Sequence, residues 1–218
     1  MTTARVRLSR DAVVDEALAI ATREGLANLS VRKLAKELGV TPMALYWHFE
    51  DKLALEGALG ERLFAAVVLP PSDRSWRVEL NAVLRALAEA LQSHAAVATL
   101  ALPTVLRSPA GLVVAERVLA LLRKSGLDER TAAETGAQLL AGLVSLVDAM
   151  PGSDLENEDR QAQLRAKRAA FALLDPAEYP NVLALAEHLI DCDDQLGYLD
   201  RGVQLLAAGV DGLVKAAR

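Results

Sequence analysis

Residues 30–52, SVRKLAKELGVTPMALYWHFEDK, read as two short helices joined by a tight turn and followed by the start of a third. Ser30 is placed to cap the first helix by accepting a backbone N–H. Leu34, Ala35 and Leu38 then share one helical face. Gly39 follows the last apolar position, where a left-handed residue ends a helix at least cost. Thr41-Pro42 restarts a helix, with a hydroxyl N-cap and a proline at N1, where no hydrogen bond is lost. Val40 and Leu45 point inward and lock the second helix across the first. The pattern predicts a helix-turn-helix, whose second helix is the element that enters a DNA major groove.

The chain on either side continues in helices. Upstream, Ser9 caps a helix from Arg10 to about Glu24, with Val13, Val14, Ala17, Leu18 and Ala21 buried and Gly25 ending it. Downstream, Asp51 caps a helix from Lys52 to about Leu69, in which Leu55, Leu59, Leu63 and Val67 recur every fourth residue. Gly57 and Gly60 lie inside it, each costing about 1 kcal/mol relative to Ala, which suits either a moving part or close packing. After Pro70-Pro71-Ser72-Asp73, helices are predicted over 75–93, 95–107 (limited by Pro103), 109–124 and 128–149. An acidic loop over 151–159 and a helix over 164–174 follow, and then Asp175-Pro176-Ala177-Glu178, a capping box expected to open another helix.

Composition fits an all-α chain. Of 218 residues, 52% are hydrophobic, mostly Ala, Leu and Val, and only eight are aromatic (three Phe, three Tyr, two Trp), so strand-like alternation is almost absent. One Cys excludes a disulfide framework and any multi-Cys zinc site, which fits a reducing cytoplasm. The N-terminal MTTARVRLSR lacks the apolar core of a signal peptide, and no uncharged run reaches the length of a membrane span. The net charge of −5 divides unevenly: residues 1–48 carry seven Arg/Lys against five Asp/Glu, or +2, which leaves −7 for the rest. That suits a small DNA-reading head on an acidic body, making few phosphate contacts per subunit.

The last predicted helix, Gln195 to about Ala217, carries Leu196, Leu199, Val203, Leu206, Val210 and Leu213 at steps of 3, 4, 3, 4 and 3. This spacing makes a seam for a near-parallel or antiparallel helix, and an ordinary core helix shows the same pattern. The uncharged second half of the 128–149 helix is its natural companion. Leu140, Val144 and Val147 there, with Leu199, Val203, Leu206 and Val210, are the expected dimer interface, two helices from each subunit.

The block LSVRKLAKELGVTPMALYWHFEDKLAL resembles the DNA-binding domain of the TetR family, strongly over Leu8 to about Leu63 and by pattern alone from Trp76 onward. The YWH ending of the recognition helix, the YPNVLALAEHL stretch and the final helix resemble the branch with a tetracycline-repressor-like C-terminal domain. The resemblance implies an all-helical bacterial cytoplasmic homodimer that represses transcription from a palindromic operator until a small molecule binds. Residues 1–50 would form the DNA-binding domain, and residues 51–218 the effector-binding and dimerisation domain.

Arg32 corresponds to the family arginine that reaches the groove, with Lys33 beside it at phosphate. Thr41 and Tyr46 fall at positions that meet phosphate or base edges, Trp47 and His48 at backbone-contacting positions, and Lys52 at the lysine that touches phosphate. Pro42 and Ala44 replace polar base readers, and with Met43 they are suited to thymine methyl groups. The histidine of the tetracycline pocket is matched here by Val68, and polar drug-binding positions by Val83 and Leu87. A largely apolar effector pocket is therefore expected among Leu63, Val67, Val83, Leu84, Leu87, Leu100, Leu102, Leu106, Val113 and Leu139.

No cofactor, metal or catalytic residue is expected. His188 and Cys192 stand four apart near Asp191, Asp193 and Asp194, but ligands on one helix cannot all face one ion. No Gly-rich phosphate loop follows a strand, and no nucleophile elbow or paired-carboxylate cleft stands out. The alternative is an α-helical small-molecule-binding module or enzyme in which the helix-turn-helix only supports the fold. The basic head on an acidic body and the missing catalytic constellation argue against it.

Overall fold

The computed structural model describes residues 8–72, 74–150, 157–190 and 194–217. Among them it has twelve α-helices and no strand. The helices are α1 (Arg10–Glu24), α2 (Val31–Glu37), α3 (Pro42–Tyr46), α4 (Lys52–Ala65), α5 (Trp76–Ser93), α6 (Ala101–Thr104), α7 (Pro109–Lys124) and α8 (Glu129–Asp148), then α9 (Asn157–Ala172), α10 (Pro180–Ala184), α11 (Ala186–Ile190) and α12 (Gln195–Ala216). Short 3-10 turns occupy Leu26–Asn28 and Ala95–Leu100. Of the acidic loop expected over 151–159, residues 151–156 lie outside the described residues, as do Asp191, Cys192 and Asp193; residues 157–159 already belong to α9, ahead of the helix expected from Leu164.

Caps set the helix starts. The Ser9, Ser30, Thr41, Asp51 and Ser108 side chains each accept the backbone N–H three residues on, at 2.7–3.3 Å. α2 ends in a Schellman turn: Gly39 takes φ +65°, its N–H reaches Lys36 O at 3.2 Å, and the Val40 N–H reaches Ala35 O at 2.9 Å.

Three further segments depart from the sequence reading. α4 stops at Ala65 because the Ala66 and Val67 N–H groups close tighter bonds to Leu63 and Phe64, ahead of Leu69, which Pro70 holds away from helical geometry. Residues 95–107 do not form one helix. Pro103 lacks a donor and its ring excludes the carbonyl four residues back, so Ala95–Leu100 winds as a 3-10 turn and α6 is only four residues long. The capping box at Asp175 closes a turn but opens no helix. Asp175 Oδ1 accepts from the Ala177 N–H at 2.8 Å, the Glu178 carboxylate accepts from the Tyr179 hydroxyl, and the next helix waits for Pro180.

Two units divide the packing. One runs through Asp148 and resumes at Val203; the other is Ala149–Gly202. In the first, α1 packs on α2, α4 and the Ala95–Leu100 turn, while α5, α7 and α8 pack on one another and α4 packs on α7. Phe64, Leu63, Leu59, Leu84, Leu122 and Leu143 are wholly buried there. α4 thus belongs at once to the helix-turn-helix and to the helical body. Inside the second unit α9 packs on α11, and Leu164 and Ile190 are buried. Among the described residues no single helix is long and apolar enough to cross a membrane.

Candidate functional site

The groove-reading surface follows from how α2 and α3 bury their apolar sides. Leu34, Ala35, Leu45 and Phe49 are buried, which turns Arg32, Thr41, Pro42, Met43, Tyr46 and Trp47 outward. Met43 is 69% exposed and Trp47 85%, values that a core role would not leave. Ala44 and His48 are half-buried. Pro42 and Tyr46, and Met43 and Trp47, form two i,i+4 rows along one face of α3.

The cations near this face differ in their engagement. Arg32 forms no ion pair among the described residues, so its fork is available to a base edge or phosphate. Lys33 is paired with Glu24 at the end of α1, and Lys52 with Glu56 at 3.4 Å. Those two lysines would have to trade a carboxylate for a phosphate. Lys36, exposed and likewise without an ion pair among the described residues, was absent from the sequence-derived set. Its signal was one turn of spacing from Arg32, on the same helix. Arg62 of α4 bonds Asp15 of α1 at 2.9 Å, and Arg10 lies 5.1 Å from the Phe49 ring centre. The first contact ties the head to α4, and the second lies within the head.

Beyond α4, a cavity of about 200 Å³ opens among α4, α5, the turn after α6, α7 and α8. Its side chains carry no polar group: Phe64, Leu84, Leu87, Val105, Leu106, Val114, Ala115, Val118, Leu119, Ala133, Ala137, Leu139 and Leu140, with Gly136. Of the expected pocket residues, Leu84, Leu87, Leu106 and Leu139 line it. Leu63 and Val83 are wholly buried in the core, Val67 is half-buried, and Leu102 and Val113 are exposed. Leu100 borders a separate groove between α4 and the α6–α7 turn. Sequence spacing on α7 marks Val114 and Val118 as one stripe, but only the packing of α8 across α7 turns that stripe into a cavity wall.

The expected seam residues are mostly covered by the single chain itself. Leu140, Val144, Val147, Leu199, Val203 and Val210 are buried, Leu140 as part of the cavity wall, and Leu206 is half-buried against Gly142.

The family described as "Tetracyclin repressor-like, C-terminal domain" matches residues 69–213, and "Bacterial regulatory proteins, tetR family" matches residues 13–59. The chain belongs to the TetR family of transcriptional regulators. Relatives of this TetR-family chain include an HTH-type transcriptional regulator of Saccharopolyspora erythraea, 32% identical over 93% of this chain and 84% of the relative. ActR of Streptomyces coelicolor, solved in complex with actinorhodin, superposes with a TM-score of 0.73 at 26% identity, over 96% of this chain and 99% of ActR. BioQ, solved with its double-stranded DNA operator, gives a TM-score of 0.60 at 27% identity, over 72% of this chain and 93% of that one. The helix-turn-helix and the C-terminal domain are thus the DNA-binding and ligand-binding parts of a TetR-family regulator.

Proposed function

We propose that this TetR-family regulator is a cytoplasmic, non-enzymatic repressor that binds a palindromic operator as a homodimer and is released by a small apolar molecule. Residues 1–50 form the operator-reading domain in this account, and residues 51–218 bind effector and a second subunit. The observation that carries it is the shared helix α4. Asp51 and Lys52 start α4 beside the recognition helix, while Phe64, near its other end about 20 Å away, walls the apolar cavity.

Two links would carry displacement along α4. The Glu61 carboxylate accepts the Ala110 N–H at the start of α7, at 3.1 and 3.2 Å, and Arg62 holds Asp15 of α1. A ligand that wedges α7 from α4 would tilt α1 and the recognition helix with it. Effector and operator then favour different members of one pre-existing pair of conformations.

The wall chemistry supports a neutral ligand. A charge entering this cavity would lose its hydration and find no side-chain partner. A dry cavity of about 150 Å³ accepts benzene, so this one suits one or two hydrocarbon-rich rings. For dimerisation, the exposed apolar residues left beside the buried seam are Leu205, Ala208, Gly209 and Leu213 of α12. Gly209 and Gly212 face open space, where close helix approach costs nothing.

The test is release of operator-bound protein, followed by fluorescence anisotropy, with neutral one- and two-ring hydrocarbons against their carboxylated analogues. Neutral compounds should release the duplex and the carboxylates should not. Release by the carboxylates alone would overturn the assignment of the effector.

A further inference from the structure

The first turn of the recognition helix offers a DNA groove almost nothing that hydrogen-bonds. Pro42 has neither a side-chain polar group nor an N–H, Met43 ends in a thioether and methyl, and Ala44 has only a methyl. The Thr41 oxygen accepts the Ala44 N–H at 3.3 Å at the cap, which leaves its O–H as the one side-chain donor of this turn. Tyr46, the next polar side chain on this face, lies a full turn further along. Yet Pro42 and Met43 are exposed, with Met43 more than two-thirds uncovered. The N-terminal residues of a recognition helix are the ones that meet base edges.

Among the four bases, only thymine presents hydrocarbon in the major groove, its C5 methyl; the other edges are donors and acceptors that an apolar contact would strip of water and leave unpaired. We infer that Pro42 and Met43 read pyrimidine C5 methyl groups in each operator half-site, Arg32 supplying the polar readout beside them. This deepens the regulator reading above and rests on it. It carries a consequence for regulation. A contact that recognises the methyl accepts 5-methylcytosine in place of thymine, so cytosine methylation at these positions raises affinity instead of blocking it.

The test uses the full-length protein and the palindrome it selects from random duplexes. The duplex is resynthesised with deoxyuridine for thymidine, which deletes only the methyl, and then scanned one position at a time. Loss of one buried methyl corresponds to about fourfold in affinity, and of one in each half-site to more than tenfold. At the sensitive position, C·G should bind more weakly than 5-methyl-C·G. Met43→Gln, a change on an exposed side chain, should abolish the thymine–uracil difference at the position Met43 reads and leave the one at Pro42, while the melting temperature stays unchanged. Equal binding of thymine and uracil duplexes by the unaltered protein, with the palindrome still preferred over random DNA, would overturn the methyl readout and leave the regulator standing. Absence of any preferred sequence would overturn both.

Discussion

Gly60 of α4 lies directly against Thr104 of α6: a Cβ added to Gly60 would sit 2.7 Å from Thr104 Cβ and 2.8 Å from its Cγ2. Thr104 cannot easily yield. It is buried, and its hydroxyl donates to the Leu100 carbonyl at 2.5 Å. The glycine that weakens α4 as a helix is therefore the one that lets α4 seat on the effector-binding body.

Gly60→Ala should cost about 1–3 kcal/mol through overpacking. It should also shift operator affinity, although residue 60 is far along α4 from the recognition helix. Thr104→Ala should recover part of the loss in the double variant, because it removes the Oγ1 and Cγ2 overlaps while the Cβ–Cβ approach remains. Thermal melts and operator titrations of the four proteins measure this. Additive melting-temperature changes would contradict the contact.

Glu79 is 2% exposed and bonds Arg117 Nη1 at 2.5 Å, while Arg117 Nη2 reaches the Pro70 carbonyl at 3.3 Å. The pair fastens the α4–α5 linker to α7. Glu79→Ala leaves a guanidinium, itself about one-quarter exposed, without its buried partner. We expect a loss of about 2–3 kcal/mol, below the range for fully buried pairs. Denaturant unfolding would register it as a lower midpoint.

Leu139 is buried in the cavity wall. Leu139→Ala should destabilise the ligand-free protein by about 2–5 kcal/mol and enlarge the cavity. Larger neutral ligands should then recover part of that stability, by binding only the folded state. Melting temperature against ligand size tests both halves. A variant stabilised equally by all ligand sizes would show that they bind elsewhere.

Asp128 starts α8. Its Oδ2 accepts the Thr131 hydroxyl at 2.6 Å and its Oδ1 the Thr131 N–H at 3.0 Å, and these bonds hold its carboxyl below the ordinary carboxylate pKa. A depressed folded-state pKa means that the stabilisation is complete above the unfolded value, near 3.8, and is lost as pH falls through the lower folded value. Thr131→Val should therefore reduce stability at pH 6 by more than at pH 2. Denaturant midpoints at the two pH values decide it.

The head was legible because its signals are local. Ser9, Ser30, Thr41 and Asp51 each name a helix start through a bond only three residues long, and Gly39 names a turn by its backbone freedom alone. Arg32 and Trp47 came from the family resemblance, and the structure turns them outward with Met43 because Leu34, Leu45 and Phe49 fill the inside. The cavity was not legible in this way. Leu102 and Leu106 differ by one turn in sequence and look alike, yet Leu106 lines the cavity and Leu102 does not; Pro103 breaks the helical register that would have related them. Ala133, Gly136 and Ala137 matter because they are small where α8 crosses α7. Leu140 and Val144 suit a subunit seam in sequence as well as they suit the core they occupy, since burial by another chain and by one's own demand the same residue types.

The measurement that bears most directly on the account is selection from random duplexes by the purified protein across a salt series, repeated with Arg32→Ala. The account predicts a palindrome whose affinity falls steeply with salt, and a variant of unchanged melting temperature that selects nothing. Sequence-blind binding by the unaltered protein, persisting after it is unfolded and refolded free of any carried ligand, would contradict it.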